Sequence, residues 1–284
     1  MVSLILLLNR VFRPPNVGGR ESGEAYSRWE HRWGLETAKI YLEPAGDIDG
    51  KRVLDVGCGL GGKTVAYQEC GASAVIGADI LESNAEASQA FASQRAVEGG
   101  KGGEGVGNYA FLTGDAASLP FVDEVFDTVV ANDAMEHFSR PELALAEMRR
   151  VTKRGGAIWL FFTPHFSPLG SHLYDYIYTP WCHLLFTRTQ IERAIRRIVA
   201  EREESTGGGD VEDQVLEIMR SYDEDLNHMS VRRFLGIAHR QPTLKVTRLE
   251  LRPAKFRALA PLTRVPLVRE LVTGFVVCRL ERMD

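Results

Sequence analysis

Between residues 52 and 162 the chain alternates short apolar runs with stretches of helical pattern, and this rhythm narrows its fold more than any other feature. The runs are 52–56, 74–78, 109–112, 126–131 and 157–162, and the first four have an acidic or amide residue at or near their ends: Asp55, Asp79, Asp115 and Asn132. Helical patterns at 63–70, 83–97 and 141–151 lie between them. Near-continuous apolar runs of this length are the mark of strands buried on both faces. Separated by helices, they form βαβ units with right-handed crossovers. The expected fold class is therefore α/β, a doubly wound, mainly parallel sheet.

Bulk properties agree with a soluble globular protein. With 284 residues the chain can bury a large core without disulfide or metal support. Apolar residues make up 44% and charged residues 25%, and 38 acids against 34 bases give a net charge of −4. No global field draws it to nucleic acid or anionic lipid. Cys58, Cys70, Cys182 and Cys278 form no C-x-x-C pair, so free thiols in a reducing, cytoplasmic setting are expected and no metal is. The apolar run 2–8 is too short to span a bilayer and lacks the layout of a secretory signal. It reads as a docking strand or helix, with transient membrane contact as the alternative.

Four regions are expected. Residues 1–50 are an N-terminal lid or docking segment, containing a Pro/Gly stretch at 13–20. Residues 51–163 are the core, with a glycine-rich surface loop at 98–108. Residues 164–187 are an aromatic insertion. Residues 188–284 complete the same domain, with a helical insertion at 201–240 and late strands at 245–251 and 275–280. The acidic stretch 201–213 reads as a mobile loop, 211–239 as helical, and Gly155-Gly156 as the end of the helix 141–151.

In an open parallel sheet, ligands bind at the carboxyl ends of the strands, where strand order reverses. The residues at those ends are Asp55 to Gly61, Asp79, Asp115 and Asn132-Asp133. Gly57, Gly59 and Gly61 allow a tight turn and a close backbone approach to a ligand. Asp79 can accept from both hydroxyls of a ribose, and Asp115 from an adenine amino group. Gly57, Gly59 and Gly62 also satisfy G-x-G-x-x-G, so the glycines alone leave a dinucleotide site open.

The segment Val53-Leu54-Asp55-Val56-Gly57-Cys58-Gly59-Leu60-Gly61 resembles the first motif of class I, Rossmann-like S-adenosylmethionine-dependent methyltransferases. Gly77-Ala78-Asp79-Ile80, Gly114 to Phe121, and Phe126 to Asn132 with Glu136-His137 resemble the second, third and fourth. The resemblance implies seven strands with the last antiparallel, S-adenosyl-L-methionine as cofactor, and methyl transfer as activity. It implies that Gly57, Cys58 and Gly59 line the methionine part, Asp79 the ribose, Ile80 an adenine face and Asp115 the adenine edge, with Gly61 and Ala116 also among the cofactor-binding residues. Asn132 would lie near the sulfonium, and Asp55 would order the loop and the cofactor's amino group.

The expected acceptor is a small, apolar or aromatic molecule. Histidines that can serve as base are His137, His165 and His172, with His183 behind them; hydrogen bonding within the insertion is the competing role. The insertion, rich in Tyr and Trp, reads as a lid over that acceptor, or else as packing against Trp29 and Trp33. Asn132-Asp133-Ala134-Met135 lacks the N/D-P-P-Y/F run of nucleic-acid amine methyltransferases, and Arg193, Arg196 and Arg197 alternate with Glu192, so no nucleic-acid partner is expected. Oligomeric state is left open. The rival functions are a nicotinamide oxidoreductase, a non-catalytic module that keeps the cofactor fold, and a peripheral membrane enzyme acting on a lipid or quinone-like acceptor.

Overall fold

Strand interiors here are built from Val, Ile, Ala and Phe, and the buried faces follow directly. Val53, Leu54, Val56, Val129, Val130, Ala131 and the run Ala157 to Phe162 are all buried. The computed structural model describes residues 1–13, 23–98, 108–206, 210–254 and 257–284. Residues 14–20 of the Pro/Gly stretch and 99–107 of the glycine-rich loop therefore lie outside the described residues.

In chain order the elements begin with α1 (Val2–Phe12) and α2 (Gly23–Thr37), the latter continued by a π-helical turn, Ala38–Leu42, and α3 (Glu43–Ala45). Then come β1 (Arg52–Val56), α4 (Gly62–Glu69), β2 (Ala74–Asp79), α5 (Glu82–Glu98), β3 (Tyr109–Thr113) and β4 (Phe126–Asn132). They are followed by α6 (Pro141–Val151), β5 (Thr152–Phe162), α7 (Cys182–Leu185), α8 (Arg188–Thr206), α9 (Val211–Glu224) and α10 (Val231–Arg240). The chain closes with β6 (Leu244–Pro253), a 3-10 turn at Arg257–Arg264, α11 (Pro266–Val272) and β7 (Thr273–Arg282).

The strands form one seven-stranded sheet in the order β3-β2-β1-β4-β5-β7-β6. It is mostly parallel, with the last strands antiparallel, as expected. Successive strands run outward from β1 to β3 and then restart at β4 on its other side. This reversal opens a crevice at the carboxyl ends of β1 and β4. In register, Asp55 of β1 stands opposite Gly77 of β2 and Val130 of β4. The edge strand β6 alternates exposed and half-buried residues, the pattern of a strand with one wet face.

Two compact units are present. One comprises Gly18–Phe162, Leu235–Glu250 and Val277–Asp284, and carries β1 to β5. On α6, Pro141, Ala144, Leu145, Met148 and Val151 are buried, an i, i+3, i+4, i+7 stripe. The expected glycine stop for this helix is not what ends it. The backbone is already extended at Thr152, and β5 starts there. Against β4 the register jumps from Phe126–Thr152 to Thr128–Ala157. Gly155, with φ +72°, absorbs the extra residues of this bulge. Arg282 closes the helix end instead, its guanidinium donating to the carbonyls of Arg149, Arg150 and Thr152.

The other unit comprises Met1–Val17, Thr163–Phe234 and Leu251–Val276. Its core joins Ile5 of α1 to Leu173, Ile177, Cys182 and Phe186 of the aromatic insertion, and to Ile191, Ile195 and Val199 of α8. Much of the insertion's apolar content is thus spent on this core. The acidic stretch expected as a loop is helical on both sides of residues 207–209, which lie outside the described residues. Glu201 pairs with Arg197 one turn earlier at 3.5 Å, and Glu212 in the first turn of α9 pairs with Arg196 at 2.9 Å. Asp210 caps α9, accepting from the Glu212 amide at 2.8 Å. The helix expected over 211–239 is interrupted between α9 and α10, where His228 adopts φ +56°. Among the described residues, no helix is long and apolar enough to cross a membrane.

The Asp210 cap offers a check on this reassignment. Asp210→Ala is expected to cost about 1 kcal/mol, read as a lower urea midpoint with an unchanged slope. A loop at this position would show no shift.

Candidate cofactor site

The site begins where β1 ends. Gly57, Gly59 and Gly61 carry φ of +74°, +56° and +77°, a backbone region that costs a side-chain-bearing residue about 1–2 kcal/mol. At Gly61 a side chain is excluded sterically too, since its Cβ would lie 2.6 Å from Ser88 Cβ. The Gly57 and Cys58 amides donate to the Ala78 carbonyl at 2.7 and 3.2 Å, tying the loop to the tip of β2. Behind it, buried Asp55 accepts from the Thr64 hydroxyl at 2.7 Å. Burial pushes the Asp55 carboxyl up to about 6, opposed by the Thr64 bond and Lys63.

Asp79 at the end of β2 shapes the same crevice. It accepts from the Gly59 amide at 3.0 Å, the Leu81 amide at 3.0 Å and the Asn84 side-chain amide at 2.9 Å. A carboxylate offers about four lone-pair positions. Three are taken, and the remaining one, on Oδ2, leaves room for one further hydroxyl where two were expected. Ile80 beside it is 64% exposed, an apolar face at the rim. Asp115 is positioned by the Ala117 amide at 2.8 Å and by Arg140 at 2.6 Å, and Ala116 is buried next to it. Asn132 ends β4 buried, donating to the Tyr67 hydroxyl at 3.2 Å, while its Oδ1 is buried without a hydrogen-bond partner.

A buried ionic cluster that the strand-tip reading missed completes the site. Lys63, in the first turn of α4, donates to the Asn132 carbonyl at 2.9 Å. It pairs with Glu30 of α2 at 3.6 Å and with Asp133 at 3.5 Å. Burial opposes the ammonium charge, but Asp133 and Glu30 outweigh it and hold Lys63 above its ordinary value. Glu30 lies against the loop, since a Cβ on Gly59 would meet its Oε1 at 3.1 Å. Burial pushes its carboxyl up to about 7 against the pull of Lys63, and its Oε2 is buried without a hydrogen-bond partner. A signal for Lys63 does exist, because Gly57 to Thr64 reads G-x-x-x-x-G-K-T. That pattern suggests a phosphate-binding P-loop, yet Lys63 and Thr64 are both engaged by carboxylates behind the loop. Nothing in the sequence flags Glu30.

The histidines divide between the two units. His137 belongs to the sheet unit, its amide donating to the Ala134 carbonyl at 2.9 Å. His165 and His172 belong to the other. His172 adopts φ +54° with its ring 5.9 Å from that of Tyr174. The His165 ring meets that of His183 edge-on at 5.0 Å and lies tilted 4.4 Å from that of His228. Burial, then those two rings, push it down to about 4, so it is neutral at pH 7 and a weak base. His183 donates from Nε2 to the His165 carbonyl at 2.6 Å, which places its proton on that nitrogen.

Residues 54–160 match the sequence profile of a methyltransferase domain. The chain is 36% identical over 121 residues to an uncharacterized methyltransferase of Bacillus subtilis, covering 41% of this chain and 42% of that one. It is 31% identical over 141 residues to the demethylmenaquinone methyltransferase of Renibacterium salmoninarum, covering 49% and 53%. The chain thus spans about half the length of these curated relatives. Its fold is similar to that of a magnesium protoporphyrin IX methyltransferase from Synechocystis, with a TM-score of 0.51, 16% identity, and coverage of 99% and 95%. Strand order, glycine loop and sequence match agree, and they identify this chain as carrying a class I, Rossmann-like S-adenosylmethionine-dependent methyltransferase domain.

Proposed function

We propose that the protein transfers the methyl group of S-adenosylmethionine to a small, apolar or aromatic acceptor by direct in-line displacement. The observation that carries this reading is the sign of the charge around the glycine loop. Asp55, Asp79 and Glu30 surround it, and after burial they are the causes that push the Cys58 thiol up. Such a loop favours a ligand bearing a sulfonium and an ammonium, and repels the diphosphate of a nicotinamide dinucleotide. The orphaned oxygens of Glu30 and Asn132 are acceptors for which a cationic ligand supplies partners. On these grounds the residues fit the cofactor.

In this reading the backbone of Gly57, Cys58, Gly59 and Gly61 holds the methionine end, and Asp79 the ribose. Ile80 covers an adenine face, and Asp115 and Ala116 meet its edge. When bound, the cofactor supplies a methyl group on a positive sulfur, already activated for displacement. What the chain must add is alignment and exclusion of water, which supply about 7–11 kcal/mol. A base among His137, His165 and His172 adds about 10²–10⁴ in rate where the acceptor arrives protonated. The relative named for demethylmenaquinone supports a quinone-like acceptor. Exposed Leu4, Leu7, Val11 and Phe12 of α1 support a second reading, that such an acceptor is met at a membrane surface.

Calorimetry with S-adenosylmethionine and with NADH, followed by label transfer to a panel of quinols, phenols and sterols, tests this. Heat from the dinucleotide alone would sink it. Glu30 adds a pH signature. A cation binds its ionised form better, so binding releases its proton and affinity rises with pH. The expected slope is up to about tenfold per unit below pH 7, flat above. Glu30→Gln should flatten the profile; a slope that survives it assigns the proton elsewhere.

A further inference from the structure

Three imidazoles gather in one compact unit from segments far apart in the chain. His165 follows β5, His183 lies in α7, and His228 sits between α9 and α10. The backbone already joins two of these segments, since the His165 amide donates to the Met229 carbonyl at 2.7 Å. Among the described residues, the ionisable groups that act on His165 are the other two rings, with no carboxylate to hold it in an ion pair. Nδ1 of His165 and Nδ1 of His183 are both buried without a hydrogen-bond partner. Buried polar atoms in that state are rare and call for an explanation, a bound ion among them.

The hydrogen bonding of His183 prepares it as a ligand. Its Nε2–H is committed to the His165 carbonyl, which leaves the lone pair on Nδ1. Imidazoles that ligate metals are held in this way, with the far N–H donated to a backbone carbonyl or carboxylate. Burial is the main cause that holds both rings below their ordinary value, so at pH 7 they are neutral, the form that coordinates. Spacing agrees. Tetrahedral Zn–N bonds of about 2.0–2.1 Å put the centres of two ligating rings about 5 Å apart. The His165 ring is 5.0 Å from that of His183 and 4.4 Å from that of His228. His228 is exposed and adopts a left-handed backbone, φ +56°, strain of a kind that gathers at ligand sites. The donor nitrogens of the three rings do not all lie within 4.8 Å of one another. Closure takes a side-chain rotation of His228, which exposed residues make rapidly.

We propose that His165, His183 and His228 bind one divalent transition-metal ion of the zinc class, His165 and His183 through Nδ1, with water in the fourth position. Imidazole suits such ions, and three protein ligands leave the site open. The ion staples the segment after β5 and α7 to the link between α9 and α10. The cysteine spacing that speaks against zinc does not bear on a set of histidines. The proposal is independent of the cofactor reading, and it takes the Nδ1 lone pair of His165 out of the set of candidate bases.

The test uses the full chain, freed of metal by a chelator, with Zn²⁺ in calorimetry and Co²⁺ in visible absorption. Binding of one Zn²⁺ per chain is expected, undiminished by excess Mg²⁺, which prefers oxygen ligands. Co²⁺ should give the intense visible bands of a four-coordinate site. Two variants remove an imidazole and spare the local structure. His183→Gln keeps an amide able to donate to the His165 carbonyl, and His228→Asn suits the left-handed backbone. Each should weaken Zn²⁺ binding by about tenfold or more, since loss of even a ligand's outer partner has that effect. Zn²⁺ should raise the melting temperature of the parent, and by less in either variant. No Zn²⁺ binding to the parent, or binding that either folded variant retains in full, overturns the proposal.

Discussion

Lys63→Ala is expected to destabilise the protein by about 3–5 kcal/mol, the cost of leaving buried charges without their partner. Lys63 and Glu30 are 5% and 3% exposed at their side chains, so neither can turn to water. With the ammonium gone, Glu30 and Asp133 face each other and the Asn132 carbonyl loses its donor. The loss should depend on pH in a definite direction. Glu30 has its pKa raised on folding, from 4.5 to about 7. The folded state then holds a proton the unfolded state has lost, and stability falls as pH rises between those values. Removing Lys63 widens that interval upward, so the variant should be hurt more at pH 8 than at pH 6. Adding Glu30→Gln should return much of the loss, because the unpaired charge is then absent. Denaturant titrations of the three proteins at both pH values measure this. A single variant that unfolds at the wild-type midpoint would show that the cluster carries no such weight.

Asp79→Ala is the second large effect, and it reports on ligand binding more than on folding. The side chain organises the crevice through the Gly59 and Leu81 amides and Asn84, and keeps one lone pair for a ligand. Losing a charge-assisted bond to a ribose hydroxyl costs about 1.5–3 kcal/mol, or roughly ten- to a hundredfold in cofactor affinity. Asp79→Asn keeps the shape and one acceptor oxygen, so its loss should be smaller. Calorimetry on a folded Asp79→Ala protein that binds S-adenosylmethionine as tightly as the parent would remove Asp79 from the ribose site.

Some of the site is legible in the sequence because it is local. The glycines at 57, 59 and 61 have to be glycine, since their backbone is left-handed, and the buried runs that become β1, β2, β4 and β5 identify themselves by composition. The tips that follow, Asp55, Asp79, Asp115 and Asn132, inherit their positions from the topology. Residues of the acidic stretch 201–213 misled because their charge was read without its partners. Arg197 and Arg196 lie on neighbouring turns and helices and turn a loop-like composition into helix. Gly155 misled in the same way, since a left-handed glycine serves a strand bulge as well as a helix end.

By itself the sequence determined the parallel sheet, its order of strand tips and the glycine loop between β1 and α4, because strand burial and left-handed turns are decided by neighbours in the chain. Only the tertiary structure decided that Glu30 and Lys63 meet beneath that loop, and that arginines of α1, its C-terminal cap and α8 line one cavity. Coulomb energy and desolvation depend on distance in space. No spacing in the chain encodes which distant charges will share a dry site.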